Sequence, residues 1–259
     1  MEYTNKKIVI TGASSGIGLG LLKNLSEYPG TQVVGVARHT EAIHSLNRAN
    51  VTALSYDMSD PKAIDSMLAD CSKTLGEIDI FFANAGFAYY GEIGSADWDK
   101  IKNIFAVNVF APIYTLQKIN AMQPKKRWQY VITDSALAKV AIPGFSLYSS
   151  TKYAVDGFVG AYRFEKPANI ILSTIYPVAT KTHFFKQAGT GTPLPSPTQT
   201  AEQVVKAVLH DVRREKKNIY PFRSFGFFNW LWNFLPFLKR GYLALEDNKF
   251  KKWEQTQSK

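Results

Sequence analysis

From residue 6 to about 180 the chain repeats one unit, a short apolar run followed by a longer stretch with helical periodicity. The runs KIVIT (7–11), QVVGVA (32–37), VTALSYD (51–57), IDIFFANA (78–85), QYVITDS (129–135) and IILSTIYP (170–177) are rich in β-branched and aromatic residues. They do not alternate cleanly with polar residues, so they read as strands buried on both faces, as in a parallel sheet. Parallel neighbours need a crossover. GLGLLKNLSEY, AIDSMLADCSKTLG, DWDKIKNIFAVNVFAPIYTLQKINAM and STKYAVDGFVGAYRFEK supply it. The expected fold class is α/β, a doubly wound parallel sheet flanked by helices. No repeat or linker divides residues 1–221, which we expect to be one domain, and residues 222–259 form an aromatic, basic extension.

The composition suits such a fold: 46% hydrophobic and 20% charged residues are globular proportions and exclude a disordered chain. Cys71 is the single cysteine, so no disulfide closes within the chain, and His39, His44, His183 and His210 are scattered without metal-ligand spacing. No metal is expected. NKK leads straight into IVITG with no signal-peptide pattern, which points to a cytoplasmic protein.

In IVITGASSGIGLGLL, Gly12, Gly16 and Gly18 fall between the first strand and the first helix. Glycine lets a backbone turn tightly and approach a pyrophosphate, and the helix N-terminus favours the anion. The spacing is G-x-x-x-G-x-G. At the end of strand two, VARH offers Arg38 and no carboxylate until Glu41. Arg38 can face a 2′-phosphate with several donors, which favours NADP(H) over NAD(H), with NAD(H) kept as the second choice.

Five motifs in order resemble the short-chain dehydrogenase/reductase family in its compact single-domain branch, over residues 6–182. TGASSGIG (11–18) is similar to TGxxxGxG, ANAG (83–86) to NNAG, and VNV to the segment carrying the family's helix asparagine, Asn108. SALAK brings Ser135, and YSSTK (148–152) matches YxxxK, with Ser135 thirteen residues before Tyr148 and Asn108 twenty-seven before Ser135.

The resemblance implies a Rossmann-fold NAD(P)(H)-dependent oxidoreductase that interconverts a carbonyl and a secondary alcohol. It implies that Tyr148 exchanges a proton with the substrate oxygen and that Ser135 hydrogen-bonds that oxygen. Lys152 would hold the nicotinamide ribose and lower the tyrosine pKa, and Asn108 would anchor a proton-relay water. Cofactor contacts would come from Gly12, Ser14, Ser15, Gly16, Ile17, Gly18, Arg38, Asp57, Met58, Asn84, Ala85, Gly86, Pro177, Thr180 and Thr182, besides Tyr148 and Lys152. A homodimer or homotetramer is expected on the same ground. Elementary chemistry agrees: reduction by hydride leaves an alkoxide that needs a proton, and residues at i and i+4 share one helix face. The rival reading is an NADP(H)-binding redox sensor or scaffold without turnover. The extended epimerase branch is disfavoured by the glycine spacing and the small C-terminal region.

Three departures stand out: Val178 where the family has glycine, Asp134 where it often has serine, and Ser14 and Ser15 where some NADP enzymes carry a basic residue. The stretch 183–200, rich in Gly, Pro, Ser and Thr, reads as a substrate loop long enough for a mobile lid. Thr200 and Gln203 read as a capping box for the helix beyond it.

Between Arg213 and Lys252, ten Lys/Arg stand against three Asp/Glu, among eleven aromatics. In FFNWLWNFLPFL, Asn229 and Asn233 make a short polar stripe and Pro236 ends or kinks the helix. The run is too short to span a bilayer. It can wall a pocket for an apolar, bulky substrate, meet a membrane peripherally through residues 222–240, or form a subunit contact. Nucleic acid is not expected, because the aromatics are clustered and apolar.

Overall fold

The apolar runs become strands because both of their faces are covered. A computed structural model describes residues 2–94 and 96–257, with only the backbone of 186, 187 and 233, so of the expected asparagine stripe Asn229 alone has a described side chain. In chain order, β1 (Lys7–Thr11), α1 (Gly16–Leu25), β2 (Gln32–Ala37), the one-turn α2 (Glu41–His44), β3 (Val51–Ser55), α3 (Pro61–Leu75) and β4 (Ile80–Ala83) build the first half. There follow α4 (Trp98–Phe105), a π-helical turn (Ala106–Phe110), α5 (Ala111–Met122), β5 (Trp128–Thr133), a 3-10 turn (Ala136–Ala138), α6 (Ser146–Glu165) and β6 (Ile170–Ile175). The last part holds β7 (Ala179–Lys181), α7 (Phe184–Ala188), β8 (Thr198–Thr200), α8 (Ala201–Arg213), β9 (Asn218–Ile219), α9 (Arg223–Phe234) and α10 (Pro236–Gln257).

The main sheet has seven parallel strands in the order β3-β2-β1-β4-β5-β6-β9. Successive side chains of a strand point to opposite faces, and here both faces are core. Val9, Phe81, Tyr130 and Ile132 pack against α3, α5 and α6. Ile8, Ile10, Ile80, Phe82 and Val131 pack against α1 and α8. This is the doubly wound, Rossmann-type sheet that the unbroken apolar runs predict.

Four of the six expected strands end two residues sooner than the apolar runs suggest. Tyr56 and Asp57, Asn84 and Ala85, Asp134 and Ser135, and Tyr176 and Pro177 all lie beyond the carboxyl ends of their strands. The long helix expected over 97–122 is interrupted by the π turn at 106–110, and the expected capping box on α8 forms in full. The stretch 183–200 is not an unstructured lid: it holds α7, and β8 pairs in parallel with β7. Pro236 opens α10 and separates it from α9.

Phe82 is fully buried between the sheet and the α1/α8 layer. Phe82→Ala is expected to lower the unfolding free energy by roughly 3–5 kcal/mol, read from the urea midpoint. A change under about 1 kcal/mol would show that this layer is loosely packed.

Candidate active site

The cleft opens where β1 and β4 part. After Thr11 the chain turns through Gly12 at φ +67°, where a Cβ would stand 2.9 Å from the Cα of Ala85. Gly18, on the first turn of α1, faces the same turn, and a Cβ there would collide with the Gly12 carbonyl oxygen. Ser15 begins α1 without a side-chain cap, and no acidic residue sits in the first turn, so the leading N–H groups stay available to an anion.

Asn84 braces this turn. Its amide nitrogen donates to the carbonyl oxygens of Thr11 (3.2 Å) and Gly12 (3.4 Å), and its Oδ1 accepts from Thr133 (3.1 Å). The Thr11 hydroxyl accepts from the backbone N–H groups of Asn84 and Ala85, both at 3.0 Å. One asparagine thus ties together the ends of β1, β4 and β5.

Arg38, Asp57 and Met58 line the same cleft beyond β2 and β3. The Asp57 carboxylate accepts from the backbone N–H of Ser59 at 2.9 Å, which fixes the turn. On the far side Pro177 and Thr180 line the wall, and Thr182 lies 3.1 Å from where a Gly16 Cβ would project. The cleft has a volume of about 270 Å³. It contains every residue expected from sequence except Asn108 and Gly18, which stand just behind its wall.

Asn108 sits in the π turn, 2% exposed, with its polar atoms committed. It donates to the Phe87 carbonyl (2.9 Å) and the Thr151 hydroxyl (3.1 Å) and accepts from the Phe87 N–H (3.1 Å). The extra residue of the π turn marks the point where this side chain reaches across to α6.

Ser135 begins the 3-10 turn, and its Oγ accepts from Leu137 N–H at 3.1 Å. Its hydroxyl favours the ionised form of the Tyr148 phenol. Tyr148 and Lys152 share a face of α6, and Lys152 Nζ lies 5.5 Å from the centre of the tyrosine ring while donating to Thr133 O at 2.9 Å. Burial dominates the setting of the tyrosine. Burial pushes the Tyr148 phenol well above its ordinary range, helped by the charge of Asp134, and Ser135 opposes only in part. Burial also pulls Lys152 down, with Asp134 opposing.

Asp134 is the residue whose setting sequence could not anticipate. It is 2% exposed, and neither carboxylate oxygen has a hydrogen-bond partner among the described residues. Burial pushes its carboxyl up to about 8, against the pull of Lys152 and Lys139 and with the help of Asp156. Sequence reasoning also missed the apolar wall of Phe87, Leu137, Phe145, Phe184 and Phe185, signalled by aromatics beside the motifs. Val178, the departure from glycine, is buried against Ala136 and Phe225 of α9.

The family model described as short chain dehydrogenase matches residues 6–192. The chain is 30% identical over 234 residues to the uncharacterized oxidoreductase YbbO of Escherichia coli, covering 85% of this chain and 86% of that protein. A short chain dehydrogenase/reductase from Burkholderia phymatum in complex with NAD superposes with a TM-score of 0.80 at 17% identity, over 92% of this chain and 96% of that one. A short-chain dehydrogenase from Sphingobium yanoikuyae in complex with NADPH gives a TM-score of 0.76 at 23% identity, over 92% and 94%.

Asp134 yields a sign-definite prediction. Its carboxyl ionises at 3.8 in the ordinary state but near 8 in the fold, so the native state binds more protons between those values. Its contribution to stability therefore falls as pH rises through that window. Asp134→Asn cannot titrate, and its urea midpoint should lose that decline relative to wild type between pH 5 and pH 9, a range of about four units. Parallel wild-type and variant curves would place the proton elsewhere.

Proposed function

The chain belongs to the short chain dehydrogenase family of oxidoreductases, and on that premise we propose that it moves hydride between a nicotinamide cofactor and a carbonyl or secondary alcohol. The observation that carries this reading is that Ser135, Tyr148 and Lys152 share one cleft with the glycine turn. The turn suits a pyrophosphate, because side chains at Gly12 or Gly18 would fill it and no cap takes the first N–H groups of α1.

Gly12, Ser14, Ser15, Gly16, Ile17 and Gly18 would hold the phosphates, and Asp57 and Met58 the adenine. Asn84, Ala85 and Gly86 would line the adenosine ribose, Lys152 the nicotinamide ribose, and Pro177, Thr180 and Thr182 the carboxamide end. A bound cofactor supplies hydride in reduction and takes it in oxidation. NAD is bound in one solved structure of this fold and NADPH in another, so the choice rests on this chain's own residues. Arg38, on the cleft wall where a carboxylate would exclude a 2′-phosphate, favours NADP(H).

Tyr148 gives its proton to the substrate oxygen as negative charge gathers there, and Ser135 donates a second hydrogen bond to the same atom. Reduction uses the protonated phenol, the form that burial favours, and oxidation uses the ionised form. Lys152 donates to Thr133 O and is placed to steady both ribose and tyrosine. Asn108, fixed on Phe87 and Thr151, acts as a brace for that wall. The aromatic lining favours an apolar or bulky carbonyl compound.

In this reading residues 1–221 form the catalytic domain and 222–259 an extension. Phe110, Tyr153 and Phe164, exposed on the π turn and α6, support association of copies into a homodimer or homotetramer.

Tyr148→Phe is expected to lower kcat for ketone or aldehyde reduction at least ~100-fold while NADPH affinity, read by cofactor fluorescence, stays within about twofold. Undiminished turnover would remove Tyr148 from the chemistry. Arg38→Asp should shift the NADPH-to-NADH ratio of kcat/KM at least about tenfold toward NADH. An unmoved ratio would make Arg38 a bystander.

A further inference from the structure

Helix α9 has two faces with different fates. Phe225 is buried against Ala136 and Val178, and Trp232 stacks on Tyr242 of α10 with ring centres 5.5 Å apart, so one face belongs to the fold. The other carries Phe227, Trp230 and Phe234 at i, i+3 and i+7, exposed by 60%, 56% and 66%. Past Pro236, Phe237 and Leu238 at the start of α10 are exposed as well. The rings lie along the surface on one another, Phe227 to Trp230 at 6.1 Å and Trp230 to Phe234 at 4.8 Å. Single exposed apolar residues are ordinary; a continuous row is not.

Along the segment that carries the row the charged side chains are all cations, although Arg223 also feels the carboxylate of Asp211. Residues 222–240 contain Arg223, Lys239 and Arg240 and no carboxylate, within a chain of net charge +10. A second copy docked through this face by twofold symmetry would present the same patch to itself and bring Lys239 and Arg240 of both copies together, with no acid in the segment 222–240 to meet them. An anionic bilayer supplies both an apolar layer and the opposite charge. Among the described residues no helix is long and apolar enough to cross a membrane, so the contact is interfacial.

We propose that the outer face of α9 and the start of α10 form a docking surface for an anionic phospholipid bilayer. Phe227, Trp230, Phe234 and Phe237 seat at the boundary between headgroups and acyl chains, and Arg223, Lys239 and Arg240 face the lipid phosphates. The opposite face of the same helix packs on Val178, which lines the cleft, so the docked surface is joined directly to the wall of the candidate active site.

The test is co-sedimentation of the full chain with phosphatidylcholine vesicles made with and without phosphatidylglycerol, at low and high salt. Wild type should pellet with the phosphatidylglycerol vesicles at low salt and less so at high salt. The double variant Trp230→Ser, Phe234→Ser should lose roughly tenfold or more in partitioning, and Arg240→Glu at least about fivefold. Wild-type thermal unfolding in both variants would show that the fold is kept. Failure of wild type to pellet with anionic vesicles overturns the proposal, as does a double variant that pellets like wild type. A wild-type dimer that the double variant makes monomeric, with no vesicle binding, assigns the face to a second copy and equally overturns it. The readout is binding, so its outcome is independent of any turnover.

Discussion

Strands β1 and β4 are hydrogen-bonded neighbours whose following helices leave to opposite faces of the sheet, α1 to one and α5 to the other. The two chains must therefore diverge at their carboxyl ends, and the divergence opens a gap that the fold cannot fill with its own backbone. Everything in the candidate site depends on how that gap is held. Thr11 and Asn84 hold it: the hydroxyl of Thr11 receives two backbone N–H groups of the β4 exit, and the side chain of Asn84 clamps the glycine turn to β5. A small hydroxyl and a short amide do this without filling the cleft. Gly12 and Gly18 contribute by the same economy, since their missing Cβ atoms are what lets the turn approach Ala85 and Asn84.

The same divergence buries ionisable groups. Tyr148, Lys152 and Asp134 are each under a tenth exposed and lie around the ends of β5 and α6. Desolvation is the largest influence on all three, raising the tyrosine and the aspartate and lowering the lysine, so each is pushed toward its neutral form. Behind them Lys139 pairs with Asp156 at 2.6 Å, and Tyr176 donates to Asp156 at 2.7 Å, so this outer pair is satisfied where the inner groups are not. A buried pair that stays ionised needs such additional partners, and neutralisation is the alternative when they are lacking. Burial of several ionisable groups against one cleft is the arrangement expected of a site that handles protons rather than of a purely structural core.

Much of this was legible in the sequence because it rests on short-range rules. Unbroken β-branched runs between helical stretches announced a parallel sheet covered on both faces. The glycine turn, Ser135 and the Tyr148/Lys152 pair were found through fixed spacings along strand ends and one helix face. What spacing cannot convey is environment. The sign of the Tyr148 shift depends on how completely α6 is covered, and the π turn at Asn108 depends on a side chain reaching Phe87 and Thr151 from another element. Strand ends were overread for a related reason: 56–57, 84–85, 134–135 and 176–177 follow the apolar runs with no glycine to mark a break, yet they lie beyond the strands. The 183–200 stretch looked free because Gly, Pro, Ser and Thr carry no periodicity, while its order comes from β7 and from α10.

That last dependence ties the most variable-looking part of the chain to the most constrained. Trp253 donates to Thr190 O at 2.9 Å and Tyr242 to Ser196 O at 2.9 Å, while Ser196 N–H reaches the buried Glu246 at 3.4 Å. Helix α10 is therefore a strap over the stretch that carries Phe184 and Phe185 to the cleft. Its rings Phe250 and Trp253 pack on Tyr90, which in turn packs on Phe145 of the cleft wall. At the other end of the extension, Phe225 shares one small buried cluster with Val178 and Ala136. A substitution in the extension can thus alter the shape of the cleft without touching Ser135, Tyr148 or Lys152, because α10 holds the stretch that carries Phe184 and Phe185 and packs through Tyr90 on Phe145.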